Sequence, residues 1–212
     1  MKNYGKFIIA LIVVWFLFAL SASAAGLFTN NSNRIGLAVA IAAVAPIVVF
    51  SLWFASSEAF RKFVLSLNPR ILTSAQVWRI IGFTFLLLEA RSVLPAIFAL
   101  PAGYGDMFIG VTAFFAAWQL ANPDRRNAFI GWQLLGIADL IVAVGTGTTA
   151  PLLDPHGVSM VAMTVLPLSL IPTFLVPLFL IFHVICIAQA RTWKPGSERS
   201  HPIASPVQHR AA

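Results

Sequence analysis

Six stretches of the chain, residues 7–28, 35–54, 77–100, 107–121, 129–144 and 163–188, are almost wholly apolar. A helix crossing the hydrocarbon core of a bilayer needs roughly 20 such residues, because each adds about 1.5 Å along the axis. The fourth and fifth are short for that distance, and the sixth is long enough to require tilt or a kink. Only 10% of the residues are charged, against roughly 25% in a soluble domain. That is too little polar surface to solvate a globule, so lipid must be the solvent for much of the chain. The expected fold class is all-α: a polytopic transmembrane helix bundle of about six helices. A single domain spans residues 1–191, and a basic, disordered tail with Pro195, Gly196, Pro202 and Pro206 spans 192–212.

The net charge of +7 follows from topology and calls for no nucleic acid. Lys2 and Lys6 precede the first stretch. Arg61, Lys62 and Arg70 lie between the second and third, and Arg125 and Arg126 between the fourth and fifth. Arg191, Lys194, Arg199 and Arg210 follow the sixth. The alternate connections hold Arg34, then Asp106, then Asp154 with His156. Every second loop is basic, which places both termini in the cytoplasm. Trp53, Trp78, Trp118, Trp132 and Trp193 all fall at expected cytoplasmic ends of spans, where amphipathic rings prefer to sit.

Two segments have further readings. Lys2, Lys6, the apolar run and Ala22-Ser23-Ala24 together mimic a cleavable signal peptide, whose loss would leave five helices. Retention is favoured because apolar character continues to Phe28. In the connection 55–76, Ser57 is placed to cap a short helix with Phe60, Phe63, Val64 and Leu67 on one face, ending at Asn68-Pro69.

Ionisable groups inside spans are costly, so each is a candidate for function. Glu89 and Arg91 in the third stretch and Asp139 in the fifth fall at similar depth. Glu89 and Arg91 are two residues apart and point to different sides of a helix. The economical arrangement pairs Arg91 with Asp139 and leaves Glu89 to bind a proton or cation. Structural glue between helices is the alternative, and a third helix ending before Pro95 would put Arg91 near the outer interface.

Residues 94–110, L-P-A-I-F-A-L-P-A-G-Y-G-D-M-F-I-G, combine Pro95, Pro101, Gly103 and Gly105 with Asp106. Proline and glycine interrupt a helix, and Asp106 is placed to cap the fourth one. The expectation is an irregular outer loop or gate, or simply a rigid turn. Gly103-Tyr104-Gly105-Asp106 matches the end of a potassium-channel filter, but the Thr-Val and the pore helix that a filter needs are missing. Asp106 and Asp139 sit in similar settings, G-Y-G-D-M-F-I-G-V and G-I-A-D-L-I-V-A-V, as duplicated half-sites would or as apolar sequence does by chance.

The sixth stretch carries Pro167, Pro172 and Pro177 at a spacing of five, either a hinge or a bent structural helix. His183 near its cytoplasmic end is a weak proton-relay candidate. The lone Cys186 excludes an intrachain disulfide and a multi-cysteine metal site. With no nucleotide loop, triad signature or zinc motif, the expectation is a non-enzymatic protein with no cofactor and no metal.

Gln76, Arg79 and Gly82 in Q-x-x-R-x-x-G, then L-P-A-x-F-A-L-P-A-G-x-G-D up to Asp106, G-x-x-D-L at 136–140 and I-P-T-F-L-V-P at 171–177 carry a resemblance. The chain resembles a group of small uncharacterised bacterial multi-pass membrane proteins. The resemblance implies a bacterial inner-membrane location and no particular activity. Taken together, the residues point to permeation or binding of a small solute, ion or proton through Glu89, Arg91 and Asp139. The alternative is a non-catalytic structural or assembly subunit. The lipid bilayer is the expected partner, with a homo-oligomer or membrane partner possible and the small ligand unknown.

Overall fold

The computed structural model describes residues 2–29 and 36–194. The tail expected over 192–212 lies outside the described residues from position 195 on, as does Arg34. Helix α1 is Lys2–Ala24, α2 is Leu37–Ser56 and α3 is the short Glu58–Leu65. Four composite helices follow: α4 (Pro69–Ala90), α5 (Ala96–Leu120), α6 (Pro123–Leu153) and α7 (Ile171–Thr192). All but α3 are long and apolar enough to cross a membrane, so the chain is an all-α, multi-pass integral membrane protein.

The distribution of side chains is inverted relative to a water-soluble bundle. Phe18, Leu52 and Val111 are 64–65% exposed, whereas Thr73, Gln133 and His183 are fully buried. Lipid solvates the outer apolar faces, and polar groups must find their partners inside the protein. Helices α4, α5, α6 and α7 pack side by side, α2 lies against α7, and α1 packs on the start of α7 and, through Tyr4 and Phe7, on Trp53 of α2 and on Phe60 and Phe63 of the segment that follows it. Small residues on α5 permit its close approach to α4. A Cβ on Gly110 would lie 2.6 Å from the Ile80 backbone nitrogen, and Ala99, Ala102 and Ala113 are wholly buried.

The amphipathic helix read in the connection 55–76 is present. The Ser57 hydroxyl accepts from the Phe60 amide at 3.2 Å, and Phe60 and Val64 are buried against α2, α4 and α7 at the end of the bundle where α1 begins and α7 ends. Trp53 stacks on Phe60 at a centroid distance of 4.0 Å.

Several expected boundaries are corrected. Residues 94–110 are not an outer loop: Pro95 precedes the first turn of α5, which then runs unbroken through Pro101, Gly103, Gly105 and Asp106. Proline at the sixth helical position removes one hydrogen bond, and the glycines serve as packing positions. The third span begins at Pro69 rather than 77 and ends at Ala90, and the fifth extends through the threonine-rich 145–149 segment to Leu153. There Thr146, Thr148 and Thr149 return their hydroxyls to carbonyls three or four residues earlier, at 2.8–2.9 Å, which hides their polarity from lipid. Because α4 starts earlier, Trp78 lies near its middle, and Trp132 is likewise deep in α6. Trp53, Trp118 and Trp193 keep their places at helix ends. The proposed proline hinge also changes: Pro167 precedes α7, Pro172 is in its first turn, and only Pro177 lies further in, two residues after the π-helical turn Ile171–Leu175.

Candidate functional site

The central part of α4, Ala75–Gly82, is a 3-10 helix of eight residues, well beyond the usual three or four. At three residues per turn, side chains at i and i+3 stack in one line. Thr73, Gln76, Arg79, Gly82 and Phe85 follow that spacing and are all buried. The tighter winding therefore aligns a row of polar groups along the face of α4 that looks into the bundle.

Arg79, halfway along α4 and 3% exposed, is the centre of the site. Its Nε donates to Asp106 Oδ1 on α5 at 2.6 Å, and its Nη2 donates to Asp139 Oδ2 on α6. Nη1 donates to the Gly136 carbonyl at 3.3 Å and lies 3.4 Å from His183 Nε2 on α7. One planar guanidinium thus engages three other helices, as its fork of donors allows and a lysine's point charge does not. Asp106, Asp139 and His183 all come from the middle of their helices, so the cluster sits at mid-depth of the bundle.

Hydrogen bonds continue from there towards the end of the bundle where α4 begins. His183 Nδ1 meets Gln133 Oε1 at 2.5 Å, and Gln133 Nε2 donates to Thr73 Oγ1 at 3.0 Å. Thr73 Oγ1 lies 3.7 Å from Cys186 Sγ, which is 3.9 Å from the Pro69 carbonyl. A continuous chain of donors and acceptors runs from Arg79 to the first residue of α4. Trp132 closes one side, its ring 5.8 Å from His183 and its Nε1 donating to Thr112 at 3.0 Å.

Three glycines make room for these side chains. A Cβ on Gly82 would overlap Asp106, one on Gly105 would overlap the Asp139 carboxylate, and one on Gly136 would overlap the His183 ring. Each polar group is seated on a neighbouring helix that has no side chain at the point of contact. The second oxygens, Asp106 Oδ2 and Asp139 Oδ1, accept no hydrogen bond from the described residues.

Asp106 borders two cavities. One, about 30 Å³, also touches Arg79, Gly82 and Phe179, and holds about one or two water molecules. The other, about 160 Å³, extends from Asp106 towards the opposite end of the bundle between α2, α5, α6 and the start of α7.

The structure brings together some of the residues singled out by sequence and separates others. Asp139 and Asp106 meet on Arg79, so the partner of Asp139 is Arg79 and not Arg91. Arg91 caps the exposed end of α4, and Glu89 is half-buried in its last turn. Neither side chain makes a hydrogen bond or ion pair with another described residue. The early end of the third helix accounts for this. His183, a weak candidate by sequence, sits fully buried in the cluster. Arg79, Gln76, Thr73 and Gln133 were missed as site residues. Their signal was the three-residue period Thr73-x-x-Gln76-x-x-Arg79-x-x-Gly82. The matching Gly103-x-x-Asp106 and Gly136-x-x-Asp139 settings place equivalent carboxylates on two helices against one guanidinium.

The family model for a domain of unknown function, DUF8737, matches residues 34–191. No curated protein and no solved structure matches the chain.

Proposed function

The chain belongs to the DUF8737 family, and from that premise we propose that it is a small permeation protein that binds and passes protons at the Asp106–Arg79–Asp139 cluster. The observation that carries this reading is the count of charges at mid-membrane. One guanidinium lies between two carboxylates, so with both ionised the cluster holds one uncompensated negative charge. In a low-dielectric interior such a charge calls for a proton or a cation. The surroundings suit a proton: His183, Gln133 and Thr73 continue the hydrogen-bonded chain on one side, and the small cavity beside Asp106 has room for water on the other. On this reading the protein is not an enzyme and needs no cofactor. The basic connections and the tryptophans at helix ends support a bacterial inner-membrane location with cytoplasmic termini.

A non-catalytic structural or assembly subunit is the second reading. It is favoured by the complete use of the Arg79 nitrogens, which makes the cluster an effective brace between four helices.

Proton flux into proteoliposomes under an imposed potential separates the two. Wild-type protein is expected to pass protons, and Asp139→Asn and Asp106→Asn to fall to the level of empty vesicles while remaining folded by circular dichroism and gel filtration. Wild-type flux no greater than that of empty vesicles, together with dissociation or degradation of the variants, establishes the brace instead.

A further inference from the structure

The larger cavity is built for a particular kind of guest. Its walls are apolar, with Phe85, Phe98, Leu140, Ala143 and Met163 among them, and the acidic side chain on its wall is Asp106. Phe85 and Phe98 meet edge to face at 5.2 Å, presenting aromatic surface of the kind that attracts a desolvated cation. The cavity reaches the outer surface between α2 and α6, where Val44 and Val144 on its wall are exposed. A volume of about 160 Å³ is close to that of an apolar protein cavity known to admit benzene, about 150 Å³.

We propose that this cavity binds a small apolar ammonium ion, a benzylamine-sized molecule whose charged head meets Asp106 and whose hydrocarbon part fills the space towards α2. The inference rests on the reading of Asp106 as the carboxylate that accepts a positive charge. It adds that the same carboxylate serves an organic cation arriving from the side opposite the His183 chain. A hydrocarbon guest leaves Asp106 Oδ2 without a donor, a neutral alcohol leaves the charge uncompensated, and an anion adds to it. A cation with an apolar body satisfies both the oxygen and the walls.

The test is calorimetric titration of the full-length protein in detergent with benzylammonium, benzyl alcohol and benzoate. Benzylammonium is expected to bind at least about tenfold tighter than benzyl alcohol, since the ammonium compensates the carboxylate charge in a low-dielectric site while the alcohol offers a hydrogen bond and no charge. Benzoate should not bind. Asp106→Asn should abolish the preference for the cation. Ala143→Phe puts a ring where the hydrocarbon part of the guest would lie, so it should abolish binding of both guests. Equal affinity for benzylammonium and benzyl alcohol, or undiminished binding by Ala143→Phe, overturns the assignment and makes the cavity a seat for lipid chains. Ammonium binding without proton flux in the wild type supports this site and removes the permeation reading. Flux without ammonium binding does the reverse.

Discussion

Arg79→Met is expected to destabilise the folded protein by about 3–5 kcal/mol, the usual cost of leaving a buried ion pair with one partner missing. The expected effect is large because two carboxylates, a backbone carbonyl and an imidazole all depend on the one guanidinium. Arg79→Lys should recover only part of the loss, since an ammonium on a flexible stem cannot reach Asp106 and Asp139 with the same fork. The triple variant Arg79→Met, Asp106→Asn, Asp139→Asn should be clearly more stable than Arg79→Met alone, because no charge is then stranded. Thermal melts in one detergent, followed by tryptophan fluorescence, measure all three. A triple variant no better than the single one would mean that packing around Arg79, and not charge, holds the cluster together.

The second large effect is steric, and it has a control within one helix. Gly136→Ala drives a methyl group into the His183 ring, and Gly105→Ala drives one into the Asp139 carboxylate. Neither neighbour is the free end of a flexible side chain, because both are held by hydrogen bonds. Each change should therefore cost about 1–3 kcal/mol, as overpacking in a dense interior does. Gly131 and Gly145 lie on the same helix as Gly136, and a Cβ on either meets nothing within 4 Å. Gly131→Ala and Gly145→Ala should be neutral, or stabilising by up to about 1 kcal/mol, the helix preference of alanine over glycine. Melting temperatures of the four alanine variants check this directly. Equal losses at all four positions would show that glycine acts here through the backbone and not by seating its neighbours.

Features set by the solvent are legible in the sequence, and features set by the bundle interior are not. Six apolar stretches give six spanning helices because lipid demands length and low polarity of each one separately. The Ser57 cap and the alternation of Phe60 and Val64 with Glu58, Arg61 and Lys62 suffice for α3, because these are local features. The start of α4 was hidden because Thr73, Gln76 and Arg79 lower its hydropathy, although all three face inward and never meet lipid. Arg79, two residues inside the expected start at 77, entered only through the Q-x-x-R-x-x-G motif and not among the ionisable groups inside spans. At Pro101, Gly103 and Gly105 the usual punctuation of soluble chains misled: in a membrane helix the glycines are contact points, and neighbouring helices support the proline. Asp139 was found by its depth alone, but its partner required knowing which helices are adjacent, and no spacing along one chain encodes that.

A site that binds and releases a proton must contain a carboxyl group that changes state while the protein stays folded. Infrared difference spectra recorded across a pH titration in lipid observe that change directly, and the aspartate-to-asparagine variants assign it. A reversible carboxyl band is expected in the wild type and is expected to be missing from both Asp106→Asn and Asp139→Asn. A spectrum in which every titrating carboxyl persists in both variants would mean that the two aspartates remain permanently paired with Arg79, and the cluster would then be a brace and nothing more.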